Sequence, residues 1–504
     1  MARRREYVSF FDSPRRKRGE TLFADRRRGL SPRLVGVSLV IGLVAASVWW
    51  FVIRDTGDTP SAEGRILGDT TVPTLLLPSG GTSLPETGVS LIDTACAAQG
   101  STGNWQTFQG SNAHLGCVSA RTISNPEILW TFEVGIQGWL NNPIIADGTV
   151  FVGSAGVSQF ATDRRDGVWA IDIATGERVW YFGTSLDVNG VGYSNGIVVA
   201  TGDEGLVWGI DATDASELWT VDHNVGVFTN PLMVSDLAVV GDGNGVLTAY
   251  DAPTGTRVWQ IQMQGPIRGG AASDGTIIVA ASETGQVTAL TLEGTALWTA
   301  QVQSRMLDDQ ARIFATPTLT EDLVVVSIVR DDVYAEPGMV ALDKQTGAIA
   351  WQATDSASIK PEWGNVRSSP AIAGDLLVYG EAYSSAIVAL DATTGRTVWS
   401  TDVGEFCFPA WSSPVVVGSQ AVLPRFDGGL YGVDLNTQEE QWRVYLGDVA
   451  ADGAFPEDFA PGFCDWQPTS GASILATPAV SEEGIVVVGT LQGFLVAIGD
   501  SDWD

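Results

Sequence analysis

Three lysines (Lys17, Lys344 and Lys360), two histidines (His114 and His223) and four cysteines are all that this chain of 504 residues contains of those types. So few histidines argue against imidazole metal cages and histidine-driven acid–base sites. No two cysteines stand at the short spacing a zinc site uses, and no Gly-x-Ser-x-Gly elbow appears. Basic residues number 28 against 59 acidic ones, a formal net charge of -31. That balance disfavours a nucleic-acid binder, which must meet a phosphate backbone with clustered Lys and Arg.

The scarce positive charge is concentrated at one end. Residues 1–33 carry eleven basic and four acidic side chains, residues 34–53 carry none, and residues 55–504 have a net charge of -39. Twenty uncharged, mostly apolar residues at about 1.5 Å each span the ~30 Å core of a bilayer. Trp49 and Trp50 stand at the far end of that run, where indole rings favour the interface. The reading is a basic cytoplasmic tail (1–33), a transmembrane signal-anchor helix (34–53) and an extracytoplasmic remainder. The apolar run continues past its only small-residue cluster, Ala45-Ala46-Ser47, which weighs against a cleaved signal peptide. Residues 54–95, rich in Thr, Gly, Pro and Ser without a period, read as a flexible stalk. Cys96, Cys117, Cys407 and Cys464 all follow the membrane segment, so an exported domain with two disulfides is expected. Three connectivities are open, and proximity favours Cys96–Cys117 with Cys407–Cys464.

The most informative feature is a recurring Asp, Thr-Gly, Trp. It runs from Asp172 through Gly176 to Trp180, and again Asp251–Gly255–Trp259, Asp343–Gly347–Trp351 and Asp391–Gly395–Trp399. Degenerate copies end at Trp219 (Ala215 for Gly), Trp298 (keeping Gly294) and Trp442 (Gln438 for Gly). The physical reading is a β-hairpin: Asp caps the turn, Gly supplies the left-handed conformation, and the residues around Trp begin the return strand. Ahead of each hairpin lie two more apolar strands, the first usually opened by Pro, as at Pro143, Pro231, Pro317, Pro370, Pro414 and Pro478. Four strands per ~40–50 residues is the signature of a propeller blade. Trp130 has no inner strands before it, and the last repeat stops at Gly499 without its Trp. An N-terminal strand that completes the last blade resolves both, giving an all-β, eight-bladed ring without open sheet edges.

The pattern Ala-x-Asp-x-x-Thr-Gly-x-x-x-Trp resembles the repeat of PQQ-like, or quinoprotein-type, β-propellers. The lead-in segment, residues 96–127, contains a stretch from Trp105 to Gly116 similar to the one that precedes the first blade in that family. The likeness covers residues 105–499. It implies a propeller over 128–504 in which Trp130, Trp180, Trp219, Trp259, Trp298, Trp351, Trp399 and Trp442 dock one blade on the next. Members include quinone-dependent alcohol dehydrogenases and the propeller lipoprotein of outer-membrane protein assembly. The enzymes carry PQQ over the channel with a Ca²⁺ or lanthanide ion, often beside a disulfide of adjacent cysteines. Here there is no adjacent Cys pair, no Cys-x-x-Cys-His, and no counterpart of the catalytic Asp with its Glu and Asn metal ligands.

What remains is the set of blade-to-blade loops: 136–142, 262–270, 303–316, 354–369, 402–413 and 446–477. They carry Trp139, Arg268, Arg312, Trp363, Arg367 and Trp411, candidates for binding a partner or an anionic ligand. The competing reading is that the arginines pair with local carboxylates. His223 is expected as an exposed loop residue, and Gly241 to Gly245 as a hairpin turn. No catalytic or metal-ligating residue is assigned. The expected function is a membrane-anchored, non-catalytic scaffold for a surface or envelope protein, or an envelope ligand, with no cofactor. The alternative is a PQQ- and Ca²⁺-dependent oxidoreductase with a divergent site.

Overall fold

The computed structural model describes residues 105–500, apart from 139, 159–161, 303–311, 329–337, 355–367, 382–385, 404–411, 426–427 and 447–473. The chain divides into two compact units, Met1–Pro85 and Glu86–Asp504. The first lies wholly outside the described residues, as do the tail, the 34–53 segment and the stalk. Among the described residues no helix is long and apolar enough to cross a membrane.

The second unit is all-β, with eight sheets that each form a blade. Blades 1 to 7 span 144–183, 188–222, 232–262, 272–301, 318–354, 371–402 and 415–445. Blade 3 shows the plan, with Leu232–Val234 innermost, then Leu237–Gly241, Val246–Asp251 and the outer Arg257–Gln262, all antiparallel. Blade 8 takes three strands from the C-terminal end and its outer strand, Pro126–Glu133, from the start of the ring; that strand pairs antiparallel with Phe494–Asp500. The ring is therefore closed by sheet hydrogen bonding between the two ends of the propeller.

The repeat motif is legible atom by atom. Asp172 Oδ1 accepts the amides of Ala174 and Thr175 and the Thr175 hydroxyl, which fixes the turn. Gly176 follows at φ +70, and the ring of Trp130 from the preceding blade lies so close that a Cβ would come within 2.6 Å of it. Gly255 stands the same way against Trp219, and Gly395 against Trp351. The glycine thus serves two purposes at once, a left-handed turn and a seat for an indole. That indole donates its N–H to the next blade: Trp130 to Ile173 O, Trp219 to Ala252 O and Trp259 to Leu292 O, at 2.7 to 2.8 Å.

Register slips by one residue before each of these tryptophans. Val179, Leu218, Val258, Leu297 and Val398 are the extra residues and stand about half exposed on the outer strands. A bulge at each outer edge disfavours edge-to-edge pairing between molecules.

The channel is filled by the chain's own lead-in segment. Carbonyls of Trp105, Gln106, Asn112, Ala113, Leu115 and Gly116 accept the amides of Ile145, Tyr193, Ser273, Leu319, Ile372 and Val416, in the inner strands of blades 1, 2, 4, 5, 6 and 7. Inner strands have a free backbone edge, and this segment satisfies it. His114 sits inside, 2% exposed, its Nδ1–H donating to Pro317 O at 3.2 Å. Burial lowers its pKa to about 4.

Candidate functional site: the loop-face mouth

The two ends of the channel differ. One end carries the short turns between first and second and between third and fourth strands. The other carries the blade-to-blade crossings and the turns between second and third strands.

Just before the inner strands of blades 1, 5, 6, 7 and 8 on that loop face stands a small polar residue, and these residues link blade to blade. Asn142 Oδ1 accepts the Thr477 amide at 2.7 Å, Thr477 Oγ1 the Ser413 amide at 3.0 Å, and Ser413 Oγ the Ser369 amide at 3.0 Å. Ser369 donates its hydroxyl to Thr316 O at 2.7 Å, and Thr316 Oγ1 accepts the Gly270 amide at 2.9 Å. Asn141 reaches Val188 O and Thr201 reaches Thr229 O, which carries the belt across blades 1, 2 and 3. Inside it is a recess lined by Leu140, Asn230, Arg268 and Phe314, with Phe108 of the lead-in segment also in its wall.

Two of the sequence-proposed residues meet here. Arg268 Nε donates to Glu283 Oε2 at 3.0 Å, and Arg312 pairs with the other oxygen of the same carboxylate. Each guanidinium lies over an aromatic ring, Arg268 over Phe228 at 5.3 Å and Arg312 over Phe314 at 4.9 Å. Glu283 thereby ties the crossings into blades 4 and 5 to a turn of blade 4. Arg312 keeps its side chain 30% exposed, the Arg268 side chain 11%. Trp139, Trp363, Arg367 and Trp411 lie outside the described residues, as do Cys96, Cys407 and Cys464. Cys117, buried beside the inner strand of blade 7, is no free thiol.

Gly241 to Gly245 form the turn between the second and third strands of blade 3, where Asp242 Oδ1 accepts the amides of Asn244 and Val246. His223 is not an exposed loop residue. Its side chain is 5% exposed, between Asp242 Oδ2 at 3.2 Å and the Tyr250 hydroxyl at 2.8 Å. The chain bends back at Asn224, φ +57, and folds the imidazole under the loop against blade 3.

Comparison with known proteins decides the family. A family profile described as outer membrane protein assembly factor BamB matches residues 164–267, 243–442 and 382–461, together more than half of the chain. The chain belongs to the BamB family. The Burkholderia pseudomallei protein named outer membrane protein assembly factor BamB is 28% identical over 303 residues, 57% of this chain and 75% of that one. A lanthanide-dependent methanol dehydrogenase of Methylacidiphilum fumariolicum is 27% identical over 172 residues, 31% of this chain and 28% of the dehydrogenase. Among solved structures, BamB from Moraxella catarrhalis superposes with a TM-score of 0.55 at 16% identity, covering 74% of this chain and 99% of that one, a likeness of fold.

Within a BamB-family propeller the described mouth is a poor fit for a quinone. A tricarboxylate on a metal ion needs several cations and a set of carboxylate ligands. The recess offers one guanidinium, already on Glu283, and no carboxylate in its described lining. Among the described residues no three of His, Cys, Asp and Glu are grouped to hold a metal. Glu283, Phe108 and the polar belt escaped the sequence reading. The belt had a signal in the residue before five of the strand-opening prolines: Asn142, Thr316, Ser369, Ser413 and Thr477.

Proposed function

We propose that the protein is a non-catalytic scaffold of the cell envelope whose loop face receives an envelope protein, in an assembly role like the one its relatives' names state. The observation that carries this is the mouth itself. The lead-in segment fills the channel beneath it, and the polar belt around it is spent on joining blades. Arg312, partly exposed above Phe314, and the aromatic loop residues Trp139, Trp363 and Trp411 supply contacts of the kind that dominate protein interfaces. Arg367 joins them as a carboxylate receptor.

In this reading residues 34–53 anchor the protein in the cytoplasmic membrane with residues 1–33 inside and 54–95 as the tether. The propeller then works outside that membrane. Cys96–Cys117 and Cys407–Cys464 are the disulfides, which peptide mapping of unreduced protein tests directly.

The deciding experiment is calorimetric titration of the full chain with PQQ plus Ca²⁺, against Ca²⁺ alone. No heat attributable to PQQ is expected. Saturable binding would replace the scaffold with the quinone-dependent oxidoreductase and justify a dye-linked screen of alcohols and sugars. A photo-crosslinker at position 312 then reports the partner, with the same probe at Thr254 on the turn face as control. Equal capture from both faces would sink the loop-face assignment.

A further inference from the structure

Blade 1 has a longer turn between its second and third strands than the blades that follow it. The turn occupies residues 156–165, against 203–205, 242–245 and 282–285 in blades 2, 3 and 4. All of these turns belong to the loop face. Asp163 gathers the long one: its Oδ2 accepts the amides of Val157 and Ser158 at 2.5 and 3.1 Å, and its Oδ1 the Arg165 amide at 2.8 Å. Both limbs of the turn, 157–158 and 163–165, are therefore bound to one carboxylate. The buried Asp166 accepts the Asp163 amide at 2.7 Å. Gly156, φ +61, lets the two carboxylates approach, since a Cβ there would fall 2.2 Å from Asp166 Oδ1. Beneath, the Tyr181 hydroxyl donates to the carbonyls of Arg164 and Asp166 at 3.0 and 2.7 Å.

This framework displays an apolar side chain and a positive charge. Val157 is 57% exposed; the other exposed large hydrophobics among the described residues all stand on outer strands. Arg164 is exposed, and no carboxylate pairs with it. The other described arginines of the loop face are engaged. Arg165 pairs with Glu133, Arg268 and Arg312 share Glu283, and the buried Arg425 donates to Val403 O and lies over Tyr431.

We infer that Val157 and Arg164 form a second contact of the loop face, one that seats a carboxylate flanked by aliphatic side chains on the envelope protein; this rests on the loop-face reading above. Residues 55–504 carry a net charge of -39, so a partner's acidic side chain is repelled over most of this surface. An unpaired guanidinium is where such a side chain gains, and that contrast fixes the partner's register. Val157 keeps water from the pair, which strengthens it. Asp163 and Tyr181 hold the backbone of both residues in place beforehand, so little ordering remains to be done on binding.

The test places a photo-crosslinker at position 158 of the full chain, beside the probe at position 312, and exposes each to envelope membranes of the source cell. One protein, identified by mass spectrometry, is expected from both positions. The crosslink from 158 should map to a segment where Asp or Glu stands between aliphatic residues. Arg164→Glu should cut capture at both positions about tenfold, and Val157→Ser should weaken it, with melting temperatures unchanged. Arg178→Glu, at an exposed arginine on the turn face, should leave capture as it is. An equal fall in Arg178→Glu is a general charge effect and overturns the contact. Capture at 312 but not at 158, or capture that Arg164→Glu leaves intact, overturns it while the loop-face reading stands. A crosslink from 158 into a basic segment also overturns it. No capture from either position overturns both.

Discussion

Trp442 gives its indole N–H to the side-chain carbonyl of Gln420 at 2.8 Å, inside its own blade. Trp130, Trp180, Trp219, Trp259, Trp298 and Trp351 instead donate to a main-chain carbonyl of the following blade. The exception follows from the ring closure. Blade 8 takes its third and fourth strands from opposite ends of the propeller, so no covalent turn there offers Trp442 a carbonyl. Gln420 supplies the acceptor, and its own amide donates to Ile123 O, in the segment that leads into the closing strand.

Replacing Gln420 with leucine leaves the 6%-exposed Trp442 indole without an acceptor. The expected cost is about 1–3 kcal/mol, read as a lower midpoint in chemical denaturation. An unchanged midpoint would mean that the Trp442 N–H finds another acceptor once Gln420 is gone.

Asp500 rebuilds the missing turn. Its Oδ1 accepts the amides of Ser124 and Asn125 at 2.8 and 2.6 Å, and its Oδ2 the Ser124 hydroxyl at 3.2 Å. Asp172 makes the same kind of cap within a continuous hairpin. Asp500→Ala should cost about 2–3 kcal/mol, and Asp172→Ala about 1, because Asp500 is buried and caps a junction that has no covalent turn, whereas Asp172 caps an exposed continuous hairpin. Hydrogen exchange should quicken in 126–133 and 494–500 for Asp500→Ala alone. Equal losses would show that the closing strand needs no such latch.

The glycine of the repeat separates backbone from packing. At Gly196, φ +80, a Cβ would meet nothing within 4 Å, so alanine there costs only the left-handed conformation, about 1 kcal/mol. At Gly255, φ +67, the same Cβ would lie 2.5 Å from the Trp219 ring. Gly255→Ala should therefore lose at least twice as much, with a shift in tryptophan fluorescence that Gly196→Ala lacks. Similar losses would reduce the motif's glycine to a turn former.

The strands, the blade number and the closing strand were legible because each rests on a periodic side-chain pattern. Asp172, Gly176 and Trp180 announce a hairpin wherever they recur. The channel filling was not legible, because residues 105 to 116 bind the inner strands through carbonyls that every residue possesses. Gln420 carries no motif, since it answers a turn that is absent. At the mouth, Arg268 and Arg312 were visible as rare charges, but Glu283 looked like one acidic residue among 59. Only folding brings positions 268, 283 and 312 together.

His114 gives the channel filling a pH dependence of definite sign. Its backbone is left-handed, φ +54, its ring meets Phe108 edge-on, and among the described residues its ring nitrogens meet Pro317 O. Buried neutral, it titrates at about 4 against 6.5 in the unfolded chain. The unfolded state therefore binds the extra proton first. Stability is full above about pH 6.5 and falls as pH drops toward 4, by up to roughly 3 kcal/mol. Asparagine tolerates the left-handed backbone and keeps a donor for Pro317, so His114→Asn should fold. Denaturation midpoints followed from pH 7 to 4.5 should decline less steeply in His114→Asn than in the native protein. Carboxylates contribute equally to both, so the difference isolates the imidazole. Parallel slopes would mean that His114 opens to solvent before the propeller unfolds, and that the lead-in segment leaves the channel as a separate step.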